Sequence, residues 1–393
     1  MSGAILTLNA GSSSLKFAVF SAAGSDDTPM ISGKIAGIGD RPVFSAQGAD
    51  RKALEAGTWQ ELDTSLSHDA IIARLLPWLA QQLGATPLLM VGHRVVHGGQ
   101  SYANPVLIDD AVLASLEALA PLAPLHQPHN LAAIRAVAKW QPDLAQIACF
   151  DTSFHRSQDR LAQMFALPRA LSDEGILRYG FHGLSYDYIA SALPEYLGKT
   201  AKGRVIVAHL GNGASICAMK GGKSVATSMG FTALDGLMMG RRCGSLDPGV
   251  LLYLMQSKGM DATQIETLLY RQSGLLGVSG ISNNMQVLQD SDDPHAREAI
   301  DLFCYRAASI LAGLIPAIGG LDALVFTAGI GEKSALIRQQ ICDQLAWLGI
   351  SLQTEANGRN AIRISTPQSK VPVLVLPTNE EIVVAKACRK MLA

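Results

Sequence analysis

Short β-branched or aliphatic runs alternate along this chain with longer stretches whose apolar residues recur at helical spacing. The runs predict strands at Ala4 to Leu8, Leu15 to Phe20, Leu88 to Val91, Gln146 to Phe150, Val205 to Leu210, Ser215 to Met219, Leu324 to Thr327 and Val371 to Leu376. The periodic stretches His68 to Leu83, Asn130 to Trp140, Arg297 to Ile318 and Ser334 to Leu348 predict helices. Interleaved strands and helices place the chain in the α/β class. One arrangement occurs twice: strand, Asn, Gly, serine, strand reads LTLNAGSSSLKFAV near the start and VAHLGNGASICAM in the second half. The echo predicts a duplicated α/β unit, with a boundary in the stretch from Asp151 to Ser172.

The composition sharpens this picture. At 393 residues the chain exceeds one ordinary core, so two domains are expected. Hydrophobic content of 48% with 17% charged residues describes a folded globular protein. A formal net charge of -1 without Lys/Arg runs gives no footprint for nucleic acid or for an anionic membrane. The opening MSGAILTLNAG has no basic leader pattern, and no uninterrupted apolar run approaches roughly 18 residues, so a cytoplasmic location is expected. The 6 cysteines lie far apart with no C-x-x-C pair, which predicts reduced thiols rather than disulfides or a zinc site.

The polar hairpins raise the question of phosphate. KGGKS and LGKT end like Walker A loops, but Cys217 and Leu193 occupy the position of the required first Gly. GIGEKS and GNGASI lack the third Gly of a dinucleotide fingerprint. The opening hairpin fits better. Gly11 and the serines, Ser12 and Ser14 among them, can present donors in a tight turn, while Lys16 adds a point charge. A solvated hairpin with an incidental lysine is the competing reading. The same chemistry recurs in HLGNGAS and in FTAGIGEKS, where a strand is expected to run through Gly-Ile-Gly into a helix.

Other residues leave alternatives open. His93 and His97 are four apart, a zinc spacing on a helix, but Val95 and Val96 favour a strand and no Glu follows His93. Asp151 closes the apolar run QIACF, where it can face a ligand or cap a turn. In PTNEE, Thr378 and Glu381 have the spacing of a capping box, which leaves Glu380 unexplained.

Read in order, LTLNAGSSSLKF, VGHRVVHGGQ, APLHQPHN, FDTSFH, RYGFHGLSY, AHLGNGAS, TSMGFTALDG, RCGSLDP, TAGIGE and PTNEE resemble the acetate kinase family over nearly the whole chain. The resemblance implies the fold of sugar kinases, actin and heat-shock chaperone ATPases: two domains of duplicated ribonuclease H-like topology with the active site in the interdomain cleft. It implies an N-terminal domain of residues 1–150 plus about 380–393 and a C-terminal nucleotide-binding domain of 151–379. Its reaction is ATP-dependent phosphorylation of acetate to acetyl phosphate, with propionate as a further or main substrate, in a homodimer.

By the same resemblance Arg94 binds the acyl substrate, and Arg242, rather than its neighbour Arg241, stabilises the transition state together with Arg94 and His182. A planar guanidinium fork suits carboxylate and phosphoryl oxygens. His126 is a further active-site histidine. Asp151 becomes an essential acid, positioning Mg²⁺ (or Mn²⁺) or its water shell, because a carboxylate acceptor with a pKa of about 4 to 5 needs no deprotonation. Asn9 and Glu380 match the metal-linked pair. Lys16, Ser12 and Ser14, His209, Leu210, Gly211, Asn212 and Gly213, then Asn284, Met285 and Gln286, and finally Gly329, Ile330, Gly331, Glu332 and Lys333 match the ATP-binding segments. Val96, Leu125, Phe181 and Ala233 match the pocket for the acyl methyl group. The chain departs from the family pattern at Asn284, Gln286, Lys333 and Ala233, where Asp, Arg, Asn and Pro are usual. A scaffold or chaperone-like ATPase on the same fold would account for the phosphate hairpins but not for Arg94, His182 and Arg242.

Overall fold

A computed structural model describes residues 3–11, 14–24, 27–55, 59, 66–124 and 126–393. The chain divides into two compact units, Met1–Ser153 with Asn379–Ala393, and Phe154–Thr378.

The first unit is built on a sheet of β1 (Ala4–Ala10), β2 (Ser14–Ser21), β3 (Ile31–Ala36), β4 (Val43–Gly48), β5 (Leu88–Val95), β6 (Val106–Leu107) and β7 (Ala145–Phe150). Among the described residues the order is β4-β3-β2-β1-β5-β7-β6. Strands β1 to β4 form an antiparallel meander, whereas β5 pairs parallel to β1 and β7 parallel to β5. Parallel pairing needs crossovers, and the helices His68–Leu83 and Gln127–Trp140 precede β5 and β7 in the chain. Ser67 caps the first of them by accepting from the Ala70 N–H, and its Ile72, Leu75, Leu76, Trp78 and Leu79 pack with Leu6, Leu8, Phe17 and Val19 of the sheet. Burial of each such side chain contributes about 1.5–3 kcal/mol.

The C-terminal helix Glu380–Leu392 packs on β1 and β5 of this unit. Gly92 permits the close approach, because a Cβ there would collide with Val384 and lie 2.8 Å from the Cys388 sulfur. Replacing Gly92 by Ala would push the helix, and Glu380 with it, away from the strand ends.

The second unit has β8 (Arg204–Leu210), β9 (Ala214–Lys220), β10 (Lys223–Thr227), β11 (Ala323–Thr327) and β12 (Val373–Val375), in the order β10-β9-β8-β11-β12. Its three antiparallel and two parallel strands repeat the order β3-β2-β1-β5-β7 of the first unit, so the hairpin echo marks a duplicated topology. Tyr186, Ile189 and Leu193 pack there against Val205, Val207, Cys217 and Met219. The helix Pro294–Ile318 is long and apolar enough to cross a membrane by length and composition. Its buried residues include Ala299, Ile300, Phe303, Ala307 and Leu311, and it packs against β9 and β8 within the unit.

Three expectations change. The stretch from Ser334 to Leu348 is a helix at Ala335–Gln344 and a separate 3-10 turn at Ala346–Leu348, stopped by Gly349 at φ 78°. Gly329, Ile330 and Gly331 lie inside the short helix Ala328–Lys333, because the chain turns at Ala328 (φ 63°) directly after β11. The Thr378 and Glu381 capping box does not form. Asn379 is the N-cap, its side chain accepting from the Ile382 N–H at 3.1 Å, so the helix starts one residue later than that box requires.

Candidate active site

In the first unit the C-terminal ends of three adjacent parallel strands deliver Asn9 from β1, Arg94 from β5 and Asp151 just beyond β7. Strand ends of this kind are where α/β sheets present ligand-binding side chains. The Asp151 N–H continues the ladder by donating to the Val95 carbonyl at 3.1 Å. Arg94 reaches both carboxylate oxygens of Asp151, Nε to Oδ1 at 2.9 Å and Nη2 to Oδ2 at 2.5 Å. Its Nη1 donates to Asn9 Oδ1 at 2.9 Å. Asn9 Nδ2 in turn donates to Glu380 Oε2 at 3.4 Å, and that oxygen lies 3.7 Å from Arg94 Nε. Of the five N–H groups on a guanidinium, these bonds leave one on Nη1 and one on Nη2. A carboxylate or phosphoryl group fits that remaining fork.

The electrostatics of this cluster are two acids against one guanidinium. Asp151 is 1% exposed. Burial pushes the Glu380 carboxyl up to about 7; Arg94 and Lys16 oppose the shift, while Asp151 and Glu381 add to it. Burial also works against the Arg94 charge, but Asp151, Glu380 and Glu381 more than compensate and hold it on. Asn9, Asp151 and Glu380 offer hard oxygen donors of the kind Mg²⁺ takes beside retained waters and substrate phosphates. Among the described residues no group of three or more His, Cys, Asp or Glu side chains forms a protein-only metal cage.

The hairpin between β1 and β2 places Lys16 opposite Asn9, with the Gly11 N–H closing on the Ser14 carbonyl at 2.8 Å. Lys16 also faces Lys34 on β3, and both line a cavity of about 610 Å³ with Arg51, Asn379 and Glu381. Ser12 and Leu125 lie outside the described residues. Val96 is buried, and its N–H donates to Asn130 Oδ1 at 2.9 Å. His126 stands at the N-cap position of the Gln127–Trp140 helix without a side-chain cap bond. His93 and His97 do not pair as ligands: His93 lies on β5 and bonds Gln146 Oε1 at 2.7 Å, while His97 Nδ1 accepts from the Gly99 N–H at 2.9 Å.

In the second unit His182 precedes the helix Gly183–Leu197 in a left-handed conformation, φ 60°, that is uncommon outside glycine. Its Nδ1 is 2.8 Å from Ser215 Oγ, which the Tyr186 hydroxyl also reaches at 2.5 Å, and its ring stacks on His209 with centroids 4.2 Å apart. His209 Nδ1 is 2.8 Å from Ser185 Oγ. A Cβ on Gly213 would stand 3.5 Å from His182 Nε2 and 3.9 Å from Arg242 Nη1, so both side chains border the Gly211–Gly213 turn after Leu210. Arg242 Nη1 donates to the Ala233 carbonyl at 3.0 Å. Phe181 is 1% exposed, its carbonyl held by His155 Nε2 at 2.9 Å.

Three sequence-distant segments of this unit line one cavity of about 370 Å³: Gly211 and Asn212, Asn284 to Gln286, and Gly329, Ile330 and Lys333, whereas Gly331 and Glu332 are not in its lining. Asn284 accepts from the Gln286 N–H at 2.9 Å as the cap of the helix Met285–Gln289, and Gln286 Nε2 donates to Asp290 Oδ1 at 2.9 Å. Glu332 has a different engagement, its Oε1 accepting from the Thr378 N–H at 3.1 Å.

Sequence reasoning passed over Gln127, Asn130 and His68. Gln127 and Asn130 are polar residues at buried positions of the helix that also buries Leu131 and Ile134. That break in an otherwise apolar face was visible in PLHQPHN.

Comparison with known proteins supplies independent findings. Residues 4–386 match the model of the acetokinase family. The chain is 54% identical over 391 residues to the acetate kinase of Rhodopseudomonas palustris strain TIE-1, covering 98% of each. It is 51% identical over 389 residues to that of Nitrobacter hamburgensis, covering 99% of this chain and 96% of the relative. Among solved structures, a propionate kinase from Francisella tularensis superposes with a TM-score of 0.90 at 36% identity over 98% of both chains. Porphyromonas gingivalis acetate kinase gives 0.87 at 35% identity over 100% of both.

Proposed function

From the premise that the chain belongs to the acetokinase family, we infer that it transfers the γ-phosphoryl group of ATP to a carboxylate oxygen of acetate. The bond from the γ-phosphorus to the β,γ-bridging oxygen breaks as a new phosphorus–oxygen bond forms to the carboxylate, yielding ADP and acetyl phosphate, reversibly and in line. Acetate enters already ionised, so no side chain has to remove a proton. The observation that carries this reading is the convergence of Asn9, Arg94, Asp151 and Glu380 at neighbouring strand ends.

In this reading Arg94 presents its two remaining N–H groups to the acyl carboxylate, while Asp151 fixes the plane and charge of the guanidinium. His182 and Arg242 offset the charge spread over the transferring phosphoryl oxygens. By the family match, Val96 and His126 are the acyl-side residues of the first unit, and Phe181 and Ala233 those of the second. The phosphate-binding groups of the first unit are Lys16 and Ser14, and in the second unit the turn Gly211–Gly213 has that role. The 370 Å³ cavity receives the nucleoside, its Asn284 and Gln286 amides giving weaker discrimination than charged partners would. Asn9, Asp151 and Glu380 would hold Mg²⁺ or Mn²⁺ through oxygen atoms and bound water. Such an ion, when bound, neutralises phosphate charge.

We extend the proposal to the domain roles, residues 1–150 with 380–393 for the acyl and metal side and 151–379 for the nucleotide. A homodimer is supported by the helix Pro248–Gln256, none of whose residues is buried although Leu252, Tyr253 and Met255 are each about half exposed. Six free thiols, five of them nearly inaccessible, suit the reducing cytoplasm.

Propionate is retained as a second acceptor because Ala233 replaces a bulkier proline and because a similar solved structure is a propionate kinase. Incubation with ATP, hydroxylamine and either acid tests both readings. Both acyl hydroxamates should accumulate, with kcat/KM values within about tenfold, a gap of roughly 1.4 kcal/mol. ATP hydrolysis without any hydroxamate would end the acyl-kinase reading.

A further inference from the structure

The first turn of the Gln127–Trp140 helix carries amides where its period calls for apolar side chains. Gln127 is 0% and Asn130 1% exposed. Buried amides without partners would be costly, and both are satisfied by backbone groups of neighbouring segments: His97 and Leu116 for Gln127, Val96 and Ala10 for Asn130. Gln127 accepts from the His97 N–H and donates to the His97 and Leu116 carbonyls, at 3.1, 3.1 and 3.2 Å. Asn130 Oδ1 accepts from the Val96 N–H at 2.9 Å, while its Nδ2 donates to the Ala10 carbonyl at 2.6 Å. The next carbonyl in the chain, Gly11, accepts from the His68 Nε2–H at 2.7 Å, and the His129 ring stacks on His68 with centroids 4.2 Å apart.

These contacts join two places that sequence keeps apart. Ala10 and Gly11 directly follow Asn9 and open the hairpin that leads to Lys16. Val96 follows the strand that carries Arg94. A single carboxamide therefore sets the spacing between the hairpin and the Arg94 strand end, while the histidine fixes the hairpin alone. A displacement at Ala10 passes to Asn9 and hence to its bond with Arg94 Nη1.

We propose that Asn130 and His68 are positioning residues for the reaction: His68 holds the phosphate hairpin in its binding geometry, and Asn130 couples that hairpin to the acyl-binding strand. The proposal rests on the acyl-kinase reading above. It separates the two substrates. Losing the His68 bond frees one hairpin carbonyl, a bond worth about 1 kcal/mol, so the KM for ATP should rise roughly fivefold to tenfold. The KM for acetate should stay within about twofold of wild type, inside ordinary scatter for an untouched contact.

The test varies ATP and acetate separately for wild type, His68→Leu, His68→Gln and Asn130→Ala, with thermal unfolding measured alongside. His68→Leu should raise the ATP KM selectively, and His68→Gln, which returns an N–H donor, should bring it back toward wild type. Asn130→Ala should raise both KM values. A His68→Leu variant that moves neither KM, or moves both equally, overturns the proposal, as does a His68→Gln variant no better than His68→Leu. The Asn130 arm is overturned if the ATP KM alone responds. Wild-type enzyme run in parallel keeps the two failures apart: without hydroxamate from wild type it is the acyl-kinase reading that falls.

Discussion

Replacing Arg94 by Ala should damage stability as well as chemistry, and the two losses can be separated. The guanidinium makes both charged hydrogen bonds to Asp151, one to Asn9 and a 3.7 Å ion pair with Glu380, in a side chain only 15% exposed. Its removal leaves Asp151 and Glu380 facing each other without their counter-ion. Breaking a buried pair by deleting one partner costs about 3–5 kcal/mol. At about 2–4 °C per kcal/mol for a unit of this size, the melting temperature should fall by roughly 6–20 °C. Adding Asp151→Asn removes the stranded charge, so the Arg94→Ala/Asp151→Asn double variant should melt several degrees above Arg94→Ala while remaining inactive. Differential scanning calorimetry on wild type, both single variants and the double variant closes the cycle. If Arg94→Ala melts within a degree of wild type, or the double variant melts below it, Arg94 is not the counter-ion of this cluster.

Arg242→Ala should lower turnover by roughly 10³-fold or more with little change in melting temperature, as expected of a transition-state arginine; a near-normal kcat removes it from the site. Ala233→Pro should shift the kcat/KM ratio toward acetate, since one methylene in an apolar pocket is worth about 1–3 kcal/mol, and an unchanged ratio shows that this wall does not set chain length. His155, held by Ser224 Oγ at 2.8 Å and the Phe181 carbonyl, is pushed down to about 4 by burial, with the bond to Phe181 opposing. Below pH 6.5 the unfolded chain takes a proton that the folded chain refuses, so its stabilising contribution, complete above pH 6.5, falls by about 2 kcal/mol at pH 5 and levels off below about pH 4. Urea midpoints at pH 7.5 and 5.0 should therefore converge in His155→Gln relative to wild type; an equal acid loss in both would place the effect elsewhere.

Much of this architecture was legible because local signals agreed with the final packing. The helix His68–Leu83 has a serine cap, an unbroken apolar stripe and a terminal glycine, and it forms over the range those features predict. The hairpins were readable because a short polar stretch carrying Asn, Gly and Ser between two apolar runs leaves few other solutions. Strands β3 and β4 were not, since Ile31–Ala36 is interrupted by Ser, Gly and Lys, and Val43–Gly48 is a largely exposed edge. Their pairing comes from the sheet rather than from their own pattern. At the site, motif resemblance pointed to Asn9, Arg94, Asp151 and Glu380 as individual residues. That Asp151 grips Arg94 through both oxygens depends on strands β5 and β7 being parallel neighbours, which no local stretch encodes. Asn130 escaped notice for the same reason: its partners, Val96 and Ala10, lie far away in the chain.

Transfer of phosphorus from ATP to a carboxylate oxygen is the event on which every role above depends, and ³¹P NMR with ¹⁸O-labelled acetate observes it directly. With ATP, divalent cation and labelled acetate, an acetyl phosphate resonance should grow in equal amount with ADP and carry the upfield isotope shift of a bridging ¹⁸O derived from the acid. ADP accompanied only by inorganic phosphate, or acetyl phosphate whose bridging oxygen is unlabelled, would contradict direct transfer and with it the roles assigned to Arg94, His182 and Arg242.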